Sequence, residues 1–126
     1  MPLVQIEVIK GRSASEKRAM FDAVHEALVE ALKIPDEDRV QRLTEYDSDD
    51  FDAPSANFTI VRITMFPGRS ISAKRDLYRR IAAKLASLGI GPNELNIVLG
   101  EPPLDDWGIR GGHPASEVDL GFELDV

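Results

Sequence analysis

The stretch Val61-Arg62-Ile63-Thr64-Met65-Phe66-Pro67-Gly68-Arg69-Ser70 repeats the pattern of Val4-Gln5-Ile6-Glu7-Val8-Ile9-Lys10-Gly11-Arg12-Ser13. In each copy apolar residues alternate with polar ones, which is the period of a half-buried strand. Each copy then reaches Gly-Arg-Ser, a turn signal ahead of a helix start. The two triplets stand 57 residues apart, Arg12 against Arg69. At the same offset Ser15 matches Ser72, and Lys17-Arg18 matches Lys74-Arg75. After a one-residue slip, Leu32-Lys33-Ile34 matches Leu88-Gly89-Ile90, and Glu45 matches Glu101.

Working outward, Ser13 and Glu16 have capping-box spacing, so each can satisfy an amide at a helix start. The spacing predicts a helix to about Lys33, with Met20, Phe21, Val24, Leu28, Ala31 and Leu32 on its apolar face. His25 reads as a helix-surface residue beside that face. Pro35-Asp36-Glu37-Asp38 ends the helix, and Arg39 to Tyr46 reads as a second strand. The acidic stretch 47–57 reads as a loop. In the second copy a helix is predicted from about Ser72 to Leu88. Leu77, Tyr78, Ile81, Leu85 and Leu88 form its apolar face, and Gly89 suits its C-terminal cap. Leu95 to Leu99 reads as a short buried strand.

Two β-α-β repeats, about 2–46 and 58–101, imply an α/β (α+β) domain: a four-stranded sheet with both helices on one face. The other face is left for an oligomer to cover if it is apolar. The tail, 102–126, belongs to neither repeat. It carries the lone tryptophan in Asp105-Asp106-Trp107-Gly108-Ile109-Arg110-Gly111-Gly112, and Val118 to Leu124 alternates like an edge strand. A hairpin or an edge strand is expected there, folded on its own sheet or on a neighbouring subunit.

The 126 residues suit one domain. No apolar run approaches the ~18 residues of a membrane span, and the N-terminus has no signal-peptide pattern. With no cysteine, disulfides and thiol chemistry are excluded, which suits a reducing cytoplasm. His25 and His113 match no metal-ligand spacing, so no metal or cofactor is expected. A net charge of −7 argues against nucleic acid and anionic membranes as partners. The general field therefore repels small anions, and any arginine in a pocket gains significance.

Pro2 follows the initiator Met1. Removal of Met1 is expected before proline, and it leaves a secondary amine on a ring of fixed φ. A free α-amine titrates near ~7.7–8.0, and burial or nearby cations lower an ammonium pKa. Such an amine at a strand end can serve as a general base or a nucleophile. The plain alternative is a chain that begins Met-Pro with no chemistry attached.

Together, Pro2, the two strand–helix–strand units, the paired Gly-Arg-Ser turns and the Trp-Gly-Ile-Arg-Gly-Gly tail resemble the tautomerase superfamily over essentially the whole chain. The tail is similar to the ending of 4-oxalocrotonate tautomerase. The length, Pro35–Arg39 and Asp105-Asp106-Trp107-Gly108 look more like malonate semialdehyde decarboxylase. The resemblance implies the tautomerase (MIF-like) fold, a homotrimer with sites between subunits, and catalysis by Pro2. It also implies carboxylate binding by Arg69 or Arg12 and assistance by Asp38. The pattern departs at Pro67 and Phe66, where the decarboxylase and cis-3-chloroacrylic acid dehalogenase respectively carry a second arginine. A clamp of two arginines from this loop is absent.

Residue by residue, Arg69 precedes a helix N-terminus, where free amides favour an anion, and it can bind a carboxylate through two charge-assisted bonds. The plain alternative is a solvated, exposed turn arginine. Asp38 suits activation of water or orientation of Pro2, or is one loop acid among three. Trp107 suits the wall of an apolar pocket, or packing. Arg110 lies between Ile109 and glycine and can offer charge to a site. The expected function is cofactor-independent keto-enol tautomerisation of small 2-keto acids. The alternatives are decarboxylation or hydration of a small 3-oxo or unsaturated acid, and a non-catalytic ligand- or protein-binding module.

Overall fold

A computed structural model describes residues 2–126. Strand β1 (Leu3–Ile9) leads into helix α1 (Ala14–Leu32) and strand β2 (Val40–Tyr46), and then β3 (Thr59–Thr64), α2 (Ile71–Ala86) and β4 (Leu95–Gly100) repeat the unit. The sheet order is β2-β1-β3-β4. Each unit pairs its own strands in parallel, β1 with β2 and β3 with β4, and the units join through the antiparallel pair β1–β3.

Local chemistry sets the helix ends. Ser13 caps α1 with both halves of the capping box in place, and Ser70 Oγ accepts from the Ala73 amide at the start of α2. Lys33 closes α1 in the left-handed region, φ 57°. An ion pair recurs at the matched positions. Lys17 Nζ lies 2.6 Å from Glu45, and Lys74 Nζ lies 2.7 Å from Glu101. Each bond ties the start of a helix to the end of the strand that follows it.

The core lies between the helices and one sheet face. Val4, Ile6 and Val8 from β1 and Val61 and Ile63 from β3 meet Val24, Leu28, Leu77, Ile81 and Leu85, all nearly fully buried. Non-directional burial of apolar area drives this contact. Leu88 and Tyr78, expected on the apolar face of α2, are instead exposed; α2 ends at Ala86, so Leu88 leaves the helical period. His25, expected on the surface, is 4% exposed, with Nε2 at 3.1 Å from Asp36 Oδ1.

The sheet face turned away from the helices is largely polar. Arg62 Nε donates to Glu7 Oε1 at 3.1 Å, and the Tyr46 hydroxyl donates to Glu7 Oε2 at 2.8 Å. The bond to Glu7 raises the Tyr46 pKa. Arg42 reaches Gln5 Oε1 at 3.3 Å. Val40 and Val98 are its exposed aliphatic residues. The face is thus a hydrogen-bonded layer more than an apolar one.

The tail folds back on its own chain. Gly108–Ile109 (β5) and His113–Pro114 (β6) make a short antiparallel hairpin. Val118 to Leu124 forms no strand. Its alternation arises because Leu120, Phe122 and Leu124 pack on a second cluster around Phe66, Trp107 and Ala115. An extended segment needs only a one-sided environment to alternate, whereas a ladder needs a free sheet edge.

Candidate active site

The β1–β3 register builds one end of the sheet. Leu3 pairs with Val40 on one side and Thr64 on the other. The preceding residue, Pro2, is buried. It stands where the chain enters β2 from Pro35–Arg39 and leaves β3 at Met65–Phe66. At this end lies a cleft of about 300 Å³, with Glu37 and Asp38 on its acidic lip, Phe66, Ile109, Leu120 and Phe122 as apolar walls, and Arg110 as a cation. Among the described residues no group of three or more His, Cys, Asp or Glu is placed to hold a metal ion.

Arg69 is buried, 7% exposed, contrary to the exposed turn position expected. Its Nη1 donates to the Phe66 carbonyl at 2.8 Å, and its guanidinium carbon stands 5.9 Å from the centre of the Phe122 ring. Both aromatic residues also wall the cleft. The Arg69 Nε is buried with no hydrogen-bond partner among the described residues. Burial lowers the pKa of this guanidinium, and the charge of Glu101 opposes the shift. A buried cationic donor left unsatisfied is costly, and an anionic acceptor would relieve that cost.

The tail produces this burial. The Ser70 amide donates to the Val126 carbonyl at 3.0 Å. Gly68, at φ 120°, sits so close that a Cβ there would stand 3.3 Å from the Leu124 Cβ. Any other residue at Gly68 is strained by its backbone.

Trp107 belongs to the same end. It is 8% exposed, lies edge-on to Phe66 at 4.8 Å, and donates Nε1–H to the Pro102 carbonyl at 3.1 Å. It packs within its own chain behind the cleft wall. Arg110, at φ 48°, donates to the Asp119 carbonyl at 3.0 Å while lining the cleft. His113 pairs with Ile109 in the hairpin.

Arg12 lies apart. It follows the C-terminal end of β1, so the strand's seven residues separate it from Pro2 by roughly 20 Å. It bonds Asn57, which donates to the Gly89 carbonyl and to Glu94, both at 2.7 Å. Within one chain, then, Pro2, Asp38, Arg69, Trp107 and Arg110 gather at one end, and Arg12 braces the other. The sequence reading missed Glu37 and the walls Phe66, Ile109, Leu120 and Phe122. The alternation of 118–124 signals Leu120 and Phe122 alone, and by itself it reads as a strand.

The chain matches two family profiles, each described as a tautomerase enzyme, over residues 38–110 and 2–52. It is 26% identical over 121 residues to the probable tautomerase YusQ of Bacillus subtilis, covering 89% of this chain and 95% of that protein. Among solved structures it is similar to the FG41 malonate semialdehyde decarboxylase inhibited by 3-bromopropiolate: 32% identity, 94% of this chain and 98% of that one, TM-score 0.81. A fused 4-OT described as a symmetric trimer shares the fold, with 24% identity, 90% of this chain and 96% of that one, and TM-score 0.82.

The burial of Arg69 has a measurable consequence. Arg69→Ala removes its bond to the Phe66 carbonyl and leaves that oxygen short of a donor, so it should destabilise the fold by about 1–3 kcal/mol. Urea unfolding of the variant checks this. A loss within error would mean that the lost bond is offset, by solvation of Arg69 or by release of its buried charge.

Proposed function

The chain belongs to the tautomerase family, and we propose that it interconverts the enol and keto forms of a small 2-keto acid, without cofactor, through the amine of Pro2. The observation that carries the reading is Arg69: a buried arginine whose Nε–H finds no partner among the described residues, set against Phe66 and Phe122, two walls of the cleft at the Pro2 end of the sheet. Met1 lies outside the described residues, and the reading requires its removal. The free secondary amine then takes the enol proton and returns a proton to carbon, or takes the α proton in the reverse direction. Arg69 holds the substrate carboxylate and stabilises charge developing on the enolate oxygen. Arg110 adds positive charge from the cleft wall, Asp38 orients the amine, and Trp107 backs the apolar wall that keeps the amine desolvated. Arg12 contributes only to a neighbouring chain's site, given its distance from Pro2 in its own.

We include in the proposal a homotrimer with sites at subunit interfaces, in line with the trimeric fused 4-OT. A cytoplasmic location is part of it too, in line with the cysteine-free sequence. No described helix is long and apolar enough to cross a membrane.

A second reading is decarboxylation or hydration of a small 3-oxo or unsaturated acid, with Pro2 protonated and Asp38 sharing the work. The likeness to malonate semialdehyde decarboxylase and the place of Asp38 on the cleft lip favour it. Against it, the positions expected to carry a second arginine hold Phe66, packed on Trp107, and Pro67. Loss of carbon dioxide from malonate semialdehyde, set against ketonisation of aryl and alkyl enolpyruvates, separates the two.

Three outcomes test the first reading. Intact mass of untagged protein should correspond to loss of Met1; a retained methionine blocks the amine, removes the catalytic reading and leaves a binding module. Size exclusion with light scattering should report three chains, and an active monomer would defeat the shared-site arrangement. Arg69→Ala should lower kcat/KM for an enolpyruvate by roughly 10- to 150-fold, the loss of a hydrogen bond to a charged group. A substrate lacking the carboxylate should lose much less, and Arg12→Ala should have the smaller effect. A folded Arg69→Ala with wild-type kinetics would make Arg69 a structural residue and pass its role to Arg110 or Arg12.

A further inference from the structure

We propose that His25 is a positioning residue which, through Asp36, holds the acidic lip of the cleft and with it Asp38. The inference rests on the role given to Asp38 above. His25 projects from α1 and is 4% exposed, and a buried imidazole N–H needs an acceptor. Its Nε2 finds Asp36 Oδ1 at 3.1 Å, although the Asp36 side chain itself is 90% exposed. So exposed a carboxylate gains little stability from a partner; what the contact fixes is the backbone that carries it. Asp36 and Glu37 form a tight turn, closed by the Asp38 amide donating to the Pro35 carbonyl at 3.1 Å, and Glu37 and Asp38 are the lip residues.

Two neighbouring ties act on the same segment from the same helix. Arg39 bonds Asp22, and Gln41 Nε2 donates to the Phe21 carbonyl at 2.9 Å. Phe21, Asp22 and His25 lie within one turn of α1, and their partners Gln41, Arg39 and Asp36 span the entry into β2. Of the three ties, the His25 bond alone falls N-terminal to Asp38, within the turn that presents it. His25 therefore couples the rigid core face of α1 to a carboxylate about to meet substrate, without touching substrate itself.

The test uses four variants of the full chain: His25→Leu, His25→Gln, Asp36→Ala and Asp38→Asn. Glutamine can place an Nε2–H near that of histidine, so His25→Gln should retain function. Asp36→Ala cuts the tie at an exposed position and carries the test if His25→Leu fails to fold. Amide exchange reads the loop without reference to activity. In His25→Leu and Asp36→Ala, exchange of the Asp38 amide should rise roughly two- to fivefold. Ketonisation of an aryl enolpyruvate reads the consequence. Both variants should lower kcat/KM by roughly 10- to 100-fold, the scale of a small misplacement, mainly in kcat, with His25→Gln close to wild type. In an Asp38→Asn background, Asp36→Ala should cost almost nothing further. Unchanged exchange, or losses that multiply in the double variant, would overturn the proposal. Faster exchange together with a fully active Asp38→Asn would instead remove the role given to Asp38, and the positioning role with it.

Discussion

The antiparallel pairing of β1 with β3 governs everything else in this chain. Leu3 opposite Thr64 and Glu7 opposite Ile60 join the two strand–helix–strand units head to tail. The start of one unit therefore lies beside the end of the first strand of the other. Pro2, which precedes β1, stands at the end where β3 leads into the loop that carries Arg69. The parallel pairing of β1 with β2 brings in the third party, because Val40 sits beside Leu3 and the Asp36–Asp38 turn comes just before it. One end of the sheet is thus assembled from segments nearly seventy residues apart.

The same pairing makes a second, related end, where Arg12 takes the place of Arg69 and Thr59, at the repeat offset, takes the place of Pro2. There the parts bond one another. The Thr59 hydroxyl donates to the Asn57 carbonyl at 3.1 Å, and Asn57 also engages Arg12 and Glu94. The Lys17–Glu45 and Lys74–Glu101 bonds show that the scaffolds of both units remain alike. The difference lies in what was added. The tail covers only the Pro2 end, where Phe122 faces Arg69 and Leu124 meets Gly68. Covering a guanidinium with aromatic and aliphatic side chains costs hydration, and such a group is retained where its charge has a partner or a task. Among the described residues the Nε of Arg69 has no hydrogen-bond partner, and it has no counterpart at the Arg12 end.

Much of this architecture was legible locally. The strand period, the capping box at Ser13, the Gly-Arg-Ser turns and the repeat offset are short-range signals, and each reports the backbone around it. Two copies of one unit on a chain of this length left few ways to form a sheet. Pro2 stood out because only a chain-initial proline offers a secondary amine. Asp38 comes through the resemblance and Trp107 and Arg110 from their residue types in the tail, and the fold brings all three to the end of the sheet that holds Pro2.

Other features became visible only in three dimensions. Sequence periodicity records that one side of a segment meets an apolar environment, but it does not say which element supplies that environment. For this reason 118–124 read as a strand when it is a cover, and His25 read as a surface residue when α1 turns it towards Asp36. Gly-Arg-Ser is nearly identical at both turns, so no local rule distinguishes Arg12 from Arg69. The β1–β3 register makes that distinction, by setting one beside Pro2 and the other a strand's length away. Exposure of the free sheet face was likewise decided by cross-strand partners, since Glu7, Tyr46 and Arg62 satisfy one another only once three strands lie side by side. The sequence determined the units and set Pro2 just ahead of β1; long-range pairing determined which side chains gather at its end of the sheet, because hydrogen-bond register between distant strands has no local code.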